Sequence, residues 1–163
     1  MFRLGLRAGE TPAGYNQEEA LVAQISIAFV DDHPLFLDGL SKVFLGLSQF
    51  DVVAVGTTTD DAVDIVDRHK PEILLLDLHL PGNCFSAIAE ITSRYRSTKV
   101  IIFTATSSVD SAVQALQAGA SGYVLKGSTL DELIDAISEV RSGETFINRG
   151  LATKVIAALH ALS

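Results

Sequence analysis

From residue 25 onward, short apolar runs alternate with segments in which apolar residues recur every three or four positions. This alternation predicts an α/β fold in which helices cover both faces of a parallel sheet. The third and fourth runs, at residues 73–76 and 100–103, are continuously apolar, which is typical of central strands buried on both faces. The predicted strands are residues 25–30, 51–56, 72–77, 99–104 and 121–125.

An amphipathic segment follows each run, so we predict a doubly wound sheet built from five strand-helix units. A common strand order for such a sheet is 2-1-3-4-5, which we take as the expected order. Helix signals agree with this pattern. Ser107 with Asp110 and Thr129 with Glu132 have the spacing of capping boxes, and Gly119 lies where a left-handed residue ends a helix.

The organisation of the chain divides into three parts. We expect residues 25–143 to form the domain and residues 1–24, which have no clear period, to form a mobile N-terminal extension. Residues 144–163 are expected to form a linker and a short C-terminal helix with Leu151, Val155, Leu159 and Leu162 on one side. This apolar stripe favours a docking surface over a coiled coil.

Composition restricts the classes of function. The length of 163 residues suits one domain, and the net charge of −8 disfavours binding of DNA or of anionic membranes by this chain alone. A single cysteine, Cys84, excludes an intrachain disulfide. The longest charge-free run, residues 111–125, is shorter than the roughly 20 residues of a membrane span. We therefore expect a cytoplasmic protein.

Three acidic residues follow predicted strands at one edge of the sheet. Asp31 and Asp32 follow the first strand, and Asp77 ends the third. With strand order 2-1-3-4-5, these two strand ends flank the crevice where the winding direction reverses. Three carboxylates in one small site require protons or a cation. Mg²⁺, which binds carboxylates, water and phosphate oxygens, is the cofactor that this cluster predicts.

Two further side chains are expected at the same rim. Thr104 ends the fourth strand, and Lys126 follows the fifth. A hydroxyl and an ammonium group both complement phosphate oxygens. Together with a carboxylate nucleophile and a metal site, they provide the parts needed to form an acyl phosphate on Asp77.

These motifs, in this order, resemble the receiver domain of two-component response regulators, over residues 25 to about 143. The similarity is greatest to the NarL/FixJ (LuxR-type) class of DNA-binding regulators. The matching segments are Asp31-Asp32-His33-Pro34-Leu35-Phe36, Asp77 with Leu80-Pro81-Gly82, Thr104-Ala105, Tyr123-Val124-Leu125-Lys126 and Gly143-Glu144-Thr145-Phe146-Ile147.

The resemblance implies a flavodoxin-like (βα)5 fold and a phosphorylation site. It implies that Asp77 accepts a phosphoryl group from a sensor histidine kinase. It also implies that Asp32 binds Mg²⁺ directly, that Asp31 acts through water and that the backbone carbonyl of His79 is the third protein ligand. Such a domain phosphorylates and dephosphorylates itself and is not a turnover enzyme.

The resemblance further implies a conformational switch. Lys126 would contact the phosphate, and Thr104 and Tyr123 would form the switch pair. Movement of Thr104 toward the phosphate would make room for Tyr123 and change the surface formed by the fourth helix, the fifth strand and the fifth helix. We expect this exposed surface to support a phosphorylation-dependent homodimer, and the full-length protein to regulate transcription.

Two features depart from the family pattern. Residues 83–86 read Asn-Cys-Phe-Ser where the family has an acidic residue and a glycine, which leaves the start of the third helix open. Too few residues follow Ile147 to build the helix-turn-helix domain of this class, so we expect this sequence to lack the output domain.

Other interpretations remain beside this one. A flavin-binding module would need a Ser/Thr/Gly-rich phosphate loop after the first strand, and an aspartate phosphohydrolase usually shows Asp-x-Asp there. The main alternative is a degenerate receiver that acts as a phosphorylation-independent interaction module. Asp32 alone, before Pro34, could be a helix cap. The side chains of His33, His79 and Cys84 lack the spacing of a metal site and receive no ligand role.

Overall fold

In the computed structural model, residues 23–162 are described, and six parallel strands form one sheet in the order β2-β1-β3-β4-β5-β6. The strands are β1 (Ile25–Val30), β2 (Phe50–Gly56), β3 (Ile73–Leu76), β4 (Lys99–Thr104), β5 (Gly122–Leu125) and β6 (Phe146–Ile147). The helices are α1 (Pro34–Leu45), α2 (Thr59–His69), α3 (Cys84–Arg94), α4 (Val109–Ala118), α5 (Leu130–Arg141) and α6 (Arg149–Leu162).

The predicted five-strand order is confirmed, and a sixth strand extends it. β6 pairs in parallel with β5, with Gly122 opposite Phe146 and Tyr123 opposite Ile147. Residues predicted as a linker therefore continue the sheet beyond its fifth strand. The boundaries of β1 to β5 differ from the predicted ones by one residue at most at each end.

The sheet separates two apolar layers, because neighbouring residues along each strand point to opposite faces. Ile73 and Leu75 of β3 belong to one layer, together with residues of α1 and α5. Leu74 and Leu76 belong to the other layer, together with residues of α2, α3 and α4. Burial on both faces explains why β3 and β4 are continuously apolar in sequence.

Helix α6 packs on the body of the fold against α4. Two members of its predicted apolar stripe, Leu151 and Val155, are buried in the layer that also contains Tyr123, whereas Leu162 is exposed. The first half of this stripe is therefore covered by the chain itself and is not a free docking surface.

One predicted helix cap is wrong and another is confirmed. Ser108 is the N-cap of α4, and its side chain accepts a hydrogen bond from the Ser111 amide at 3.2 Å, so Ser107 is not the cap. Ser107 and Ser108 are adjacent, and either could have served as the cap; in the structure it is Ser108. Thr129 does accept the predicted hydrogen bond from the Glu132 amide, at 3.2 Å.

The expected N-terminal extension, residues 1–24, lies outside the described residues except for its last two. Of these, Gln24 donates side-chain hydrogen bonds to the carbonyls of Ser48 and Phe50, at 3.0 and 3.2 Å. Within residues 23–162, no helix combines the length and apolar character that a bilayer crossing requires.

Candidate functional site

Strands β1 and β3 lie side by side and bring the predicted acidic residues together. Asp31 follows β1, Asp77 follows β3, and both are buried, with 3% and 2% of their surface exposed. One side-chain ligand atom from each of four residues lies within 4.8 Å of the others: Asp31, Asp32, His33 and Asp77. The acid cluster expected from strand order is therefore present.

Lys126 reaches this cluster from the loop between β5 and α5. Its Nζ lies 2.5 Å from Oδ2 of Asp31 and 3.6 Å from Oδ2 of Asp77. Its backbone amide donates to the carbonyl of Thr104 at 2.8 Å, which joins the loop to the end of β4. The same ammonium lies 4.4 Å from the centre of the Phe36 ring, a cation-π contact that sequence spacing did not predict.

Asp31 is held in its charged form by its neighbours. Burial alone would raise the pKa of its carboxyl, because a charged group loses hydration inside the protein. Hydrogen bonds from Lys126 and His33 outweigh this effect and hold the pKa below its ordinary value. Asp31 is therefore an anion at neutral pH.

His33 is a member of the cluster that sequence reasoning missed. Its Nδ1 lies 2.8 Å from Oδ1 of Asp31 and 3.0 Å from Oδ1 of Asp32, although its side chain is largely exposed. The hydrogen bond to Asp31 and the charges of both acids raise the pKa of the imidazole. The signal was present in the sequence, because His33 directly follows the two acids.

Asp32 does not cap helix α1. His33 occupies the cap position before Pro34 and makes no side-chain cap hydrogen bond. The carboxylate of Asp32 instead lies with the acid cluster, where it contacts the His33 ring. The alternative reading of Asp32 as a helix cap is therefore wrong.

Asp77 has an unusual environment for a buried acid. Its Oδ1 atom is buried and has no hydrogen-bond partner among the described residues, and Lys126 lies at 3.6 Å from Oδ2. Buried polar atoms are rarely left without a partner, because the lost hydration costs about 1–3 kcal/mol. The unpartnered oxygen, beside two further carboxylates, fits a hard divalent cation such as Mg²⁺.

The predicted switch residues meet at Thr106, which follows β4. Thr104 is fully buried, and its Oγ1 accepts a hydrogen bond from the Thr106 amide at 3.4 Å. Tyr123 is fully buried as well, and its hydroxyl donates to the Thr106 carbonyl at 2.9 Å. The Tyr123 side chain itself is therefore not part of an exposed surface, since its ring lies in the layer beneath α6. The role expected for the surface of α4 and α5 stays a prediction.

The loop after β3 has a regular helix start despite its unusual sequence. Asn83 caps α3 by accepting a hydrogen bond from the Ser86 amide at 3.1 Å. The thiol of Cys84 donates to the carbonyl of Leu78 at 3.0 Å and holds the preceding turn. His79 is exposed in that turn. The role predicted for its backbone carbonyl stays a prediction.

Comparison with known sequences shows the family. Residues 27–138 match the response regulator receiver domain. The transcriptional regulatory protein DegU of Brevibacillus brevis is 32% identical over 126 residues, which cover 77% of this chain and 53% of DegU. The nitrate/nitrite response regulator protein NarL of Escherichia coli K12 is 26% identical over 147 residues, or 90% of this chain and 66% of NarL. The chain thus spans about half to two thirds of these relatives.

Comparison with solved structures identifies the same family of proteins. A two-component response regulator of the LuxR family from Aurantimonas sp. SI85-9A1 superposes with a TM-score of 0.76 at 29% identity, covering 86% of this chain and all of that one. The chain therefore belongs to the response regulator receiver domain family and is a two-component receiver of the NarL/LuxR class.

Proposed function

We propose that this chain is a phosphorylation-dependent signalling switch that accepts a phosphoryl group on Asp77. The observation that carries the proposal is the environment of this residue. Asp77 is buried, one of its oxygens has no partner among the described residues, and it lies beside two acids and an ammonium group. Such a carboxylate is available as a nucleophile next to groups that neutralise phosphate charge.

The proposed reaction transfers a phosphoryl group from a phosphohistidine of a sensor histidine kinase. A bond forms between an Asp77 oxygen and phosphorus, and the bond between phosphorus and the imidazole nitrogen breaks. The leaving imidazole then takes up a proton, and an acyl phosphate remains on Asp77. Lys126, within 3.6 Å of Asp77, stabilises the negative charge on the phosphoryl oxygens.

The acid cluster is suited to Mg²⁺. Asp31, Asp32 and Asp77 would hold it together with the backbone carbonyl of His79, and when bound it supplies charge neutralisation for phosphoryl transfer. The three carboxylates carry three negative charges when ionised, and Lys126 returns one positive charge. The two charges that remain equal those of a divalent cation, and His33 competes for the same carboxylate oxygens.

The switch is proposed to run through Thr106. If the Thr104 hydroxyl turns toward a phosphate on Asp77, it loses the hydrogen bond that it now accepts from the Thr106 amide. The Thr106 carbonyl holds the Tyr123 hydroxyl, and the Thr106 hydroxyl accepts from the amide of Ser108, which caps α4. A change at Thr104 is thereby passed to Tyr123 and to the start of α4.

The test is chemical phosphorylation of the purified protein. Incubation with Mg²⁺ and acetyl phosphate is expected to add one acid-labile phosphoryl group, which intact mass and peptide mapping assign to Asp77. Asp77→Asn is expected to stay unmodified, whereas Asp60→Asn, at an exposed position of α2, is expected to react like the wild type.

Two outcomes count against the proposal. Labelling on another residue, or labelling that persists in a chelator, contradicts the assignment of Asp77 and Mg²⁺. A folded wild type that takes up no phosphoryl group supports the alternative, an interaction module that works without phosphorylation.

The proposal extends to partners. The donor is a sensor histidine kinase, and a second phosphorylated copy of the chain is the expected partner in a homodimer. DegU is named a transcriptional regulatory protein, and control of transcription is the output that we propose for the full-length protein.

A further inference from the structure

Asn148 lies between β6 and α6 and bonds to both ends of the segment that carries Lys126. Its Oδ1 accepts a hydrogen bond from the Leu125 amide at 2.7 Å. Its Nδ2 donates to Oγ of Ser128 at 2.9 Å. Leu125 and Ser128 flank Lys126 and Gly127, so one side chain holds the short loop from both ends.

The backbone of Asn148 connects this loop to α6. Its amide donates to the carbonyl of Tyr123 at 3.4 Å, which continues the pairing of β6 with β5. Its carbonyl accepts from the amides of Leu151 and Ala152 at 3.0 and 2.9 Å, the first hydrogen bonds of α6. The side chain therefore serves the Lys126 loop while the main chain starts the helix.

The position of the Lys126 backbone matters for the reach of its ammonium. A lysine side chain is flexible, so a fixed backbone reduces the number of conformations that its ammonium must search to reach the phosphate. The loop has hydrogen bonds of its own, from Lys126 to Thr104 and from Ser128 to the Leu125 carbonyl. Asn148 adds the contacts that join this loop to the segment between β6 and α6.

We infer that Asn148 is a positioning residue for Lys126 and couples the phosphate site to helix α6. The inference rests on the proposed function, since Lys126 must contact the phosphoryl group. Leu151 and Val155 anchor α6 in the layer of Tyr123, so α6 cannot tilt at its start without moving Asn148. Coupling between binding equilibria is reciprocal: if a displacement of α6 weakens the contact of Lys126 with the phosphate, a phosphate held by Lys126 restrains α6 to the same extent.

Two variants of Asn148 test whether its side-chain hydrogen bonds position the Lys126 loop. Asn148→Ala removes both side-chain hydrogen bonds. Asn148→Asp keeps an acceptor for the Leu125 amide, and the Ser128 hydroxyl can donate to the second carboxylate oxygen. The matched control is Thr98→Ala, which removes a buried hydrogen bond to the Pro71 carbonyl at 2.7 Å, just before β4 and therefore at the amino ends of the strands, away from the Lys126 loop.

The measurements are the rate of Asp77 labelling by acetyl phosphate with Mg²⁺, the hydrogen exchange of the Leu125 amide and the melting temperature. We expect Asn148→Ala to label about tenfold more slowly, as the loss of one to two net hydrogen bonds predicts, and to lose protection at Leu125. Asn148→Asp should label at close to the wild-type rate. Thr98→Ala should melt earlier and still label at the wild-type rate.

The outcomes distinguish the inference from the proposed function. A labelled wild type with an unimpaired Asn148→Ala variant contradicts the inference alone. Slow labelling of Thr98→Ala contradicts it as well, because lost stability would then explain both results. An unlabelled wild type contradicts the proposed function and the inference with it. If Asn148→Ala does not fold, Ser128→Ala, which removes only one of the two bonds, decides: a smaller slowing supports the inference, and an unchanged rate overturns it.

Discussion

At the scale of single residues, Asp32 is the acid whose removal best tests the metal site. Its side chain is 35% exposed, against 5% for Asp31, so alanine leaves no buried cavity there. Asp32→Ala removes a ligand and relieves repulsion among three carboxylates. We expect Mg²⁺ affinity to fall by about tenfold or more, and thermal stability without metal to be unchanged or higher.

Calorimetric titration with MgCl₂ and a thermal melt in a chelator measure these two effects. The exposed Asp60→Ala serves as the control for a change in net charge and should bind Mg²⁺ like the wild type. An unchanged Mg²⁺ affinity in Asp32→Ala would show that the metal binds elsewhere.

Because the Tyr123 hydroxyl is buried, we expect the protein to lose free energy of unfolding at high pH. Burial, helped by the negative charge of Asp77, raises the pKa of its hydroxyl from 10.0 to about 12. Between these values the unfolded chain releases the proton and the folded chain keeps it, so the free energy of unfolding falls as pH rises, by about 1.4 kcal/mol per pH unit. Below the lower value, this contribution is fully present.

Urea unfolding of the wild type and of Tyr123→Phe, at about pH 8 and about pH 11, isolates this effect, because the other titrating groups are common to both proteins. We expect the wild type to lose stability relative to the variant at the higher pH. A difference between the two proteins that does not change with pH would refute the raised pKa.

At the scale of elements, sequence patterns locate long and buried segments well and short ones poorly. β1 and β4 were predictable because apolar residues fill them almost completely. β6 has only two residues, and its position depends on the free edge of β5. No local pattern distinguishes such a strand from a linker.

Helix ends, too, are predictable from the local sequence only in part. Gly119 was predictable as the end of α4, and its φ of 119° confirms a backbone conformation that favours glycine. A side chain there would also meet Thr92, since an added Cβ would lie 2.3 Å from its Oγ1. That second constraint comes from α3 and cannot be recognised in the sequence around Gly119.

At the candidate site, some residues could also be predicted from the sequence and others could not. Asp31, Asp32 and Asp77 were predictable because strand order alone brings the ends of β1 and β3 together. The contacts of Phe36 with Lys126 and of Asn148 with Leu125 depend on how loops and helices pack. They join segments distant in sequence and carry no motif.

Helix α6 offers a prediction about the extent of the fold. Val155 is fully buried and Ile156 is 50% exposed, although they are neighbours on one helix. Val155→Ala is expected to lower the free energy of unfolding by about 2 kcal/mol, because it removes buried methyl groups and leaves a cavity. Ile156→Ala should change it by about 0.5 kcal/mol at most.

Urea unfolding midpoints measure both values. Equal effects of the two substitutions would mean that α6 does not pack in solution as it does here. A large effect of Val155→Ala alone would establish that the helix belongs to the cooperative unit of the receiver.

At the scale of the whole molecule, net charge determines the expected behaviour with DNA. The chain carries a net charge of −8, which repels the phosphate backbone. We expect no sequence-specific DNA binding by this chain at physiological salt, measured by fluorescence anisotropy with labelled duplexes. Nanomolar binding of a particular sequence would contradict this expectation.

Self-association is the second property of the whole molecule that can be measured. We expect the phosphoryl mimic beryllofluoride, added with Mg²⁺, to raise the mass observed by sedimentation equilibrium. Asp77→Ala, which cannot bind the mimic at the proposed site, should keep the mass of the untreated protein. An unchanged wild-type mass in both states would remove the dimer from the mechanism.

The two apolar layers of the sheet have a consequence for protein engineering. Among the described residues, no buried side chain belongs to both layers, and the Phe36 contact lies with one while Tyr123 lies in the other. Substitutions that lie more than about 7–10 Å apart and share no partner usually have additive effects on stability. The layer under α1 and α5 can therefore be repacked to raise the melting temperature while the residues of the layer that contains Tyr123 are left unchanged.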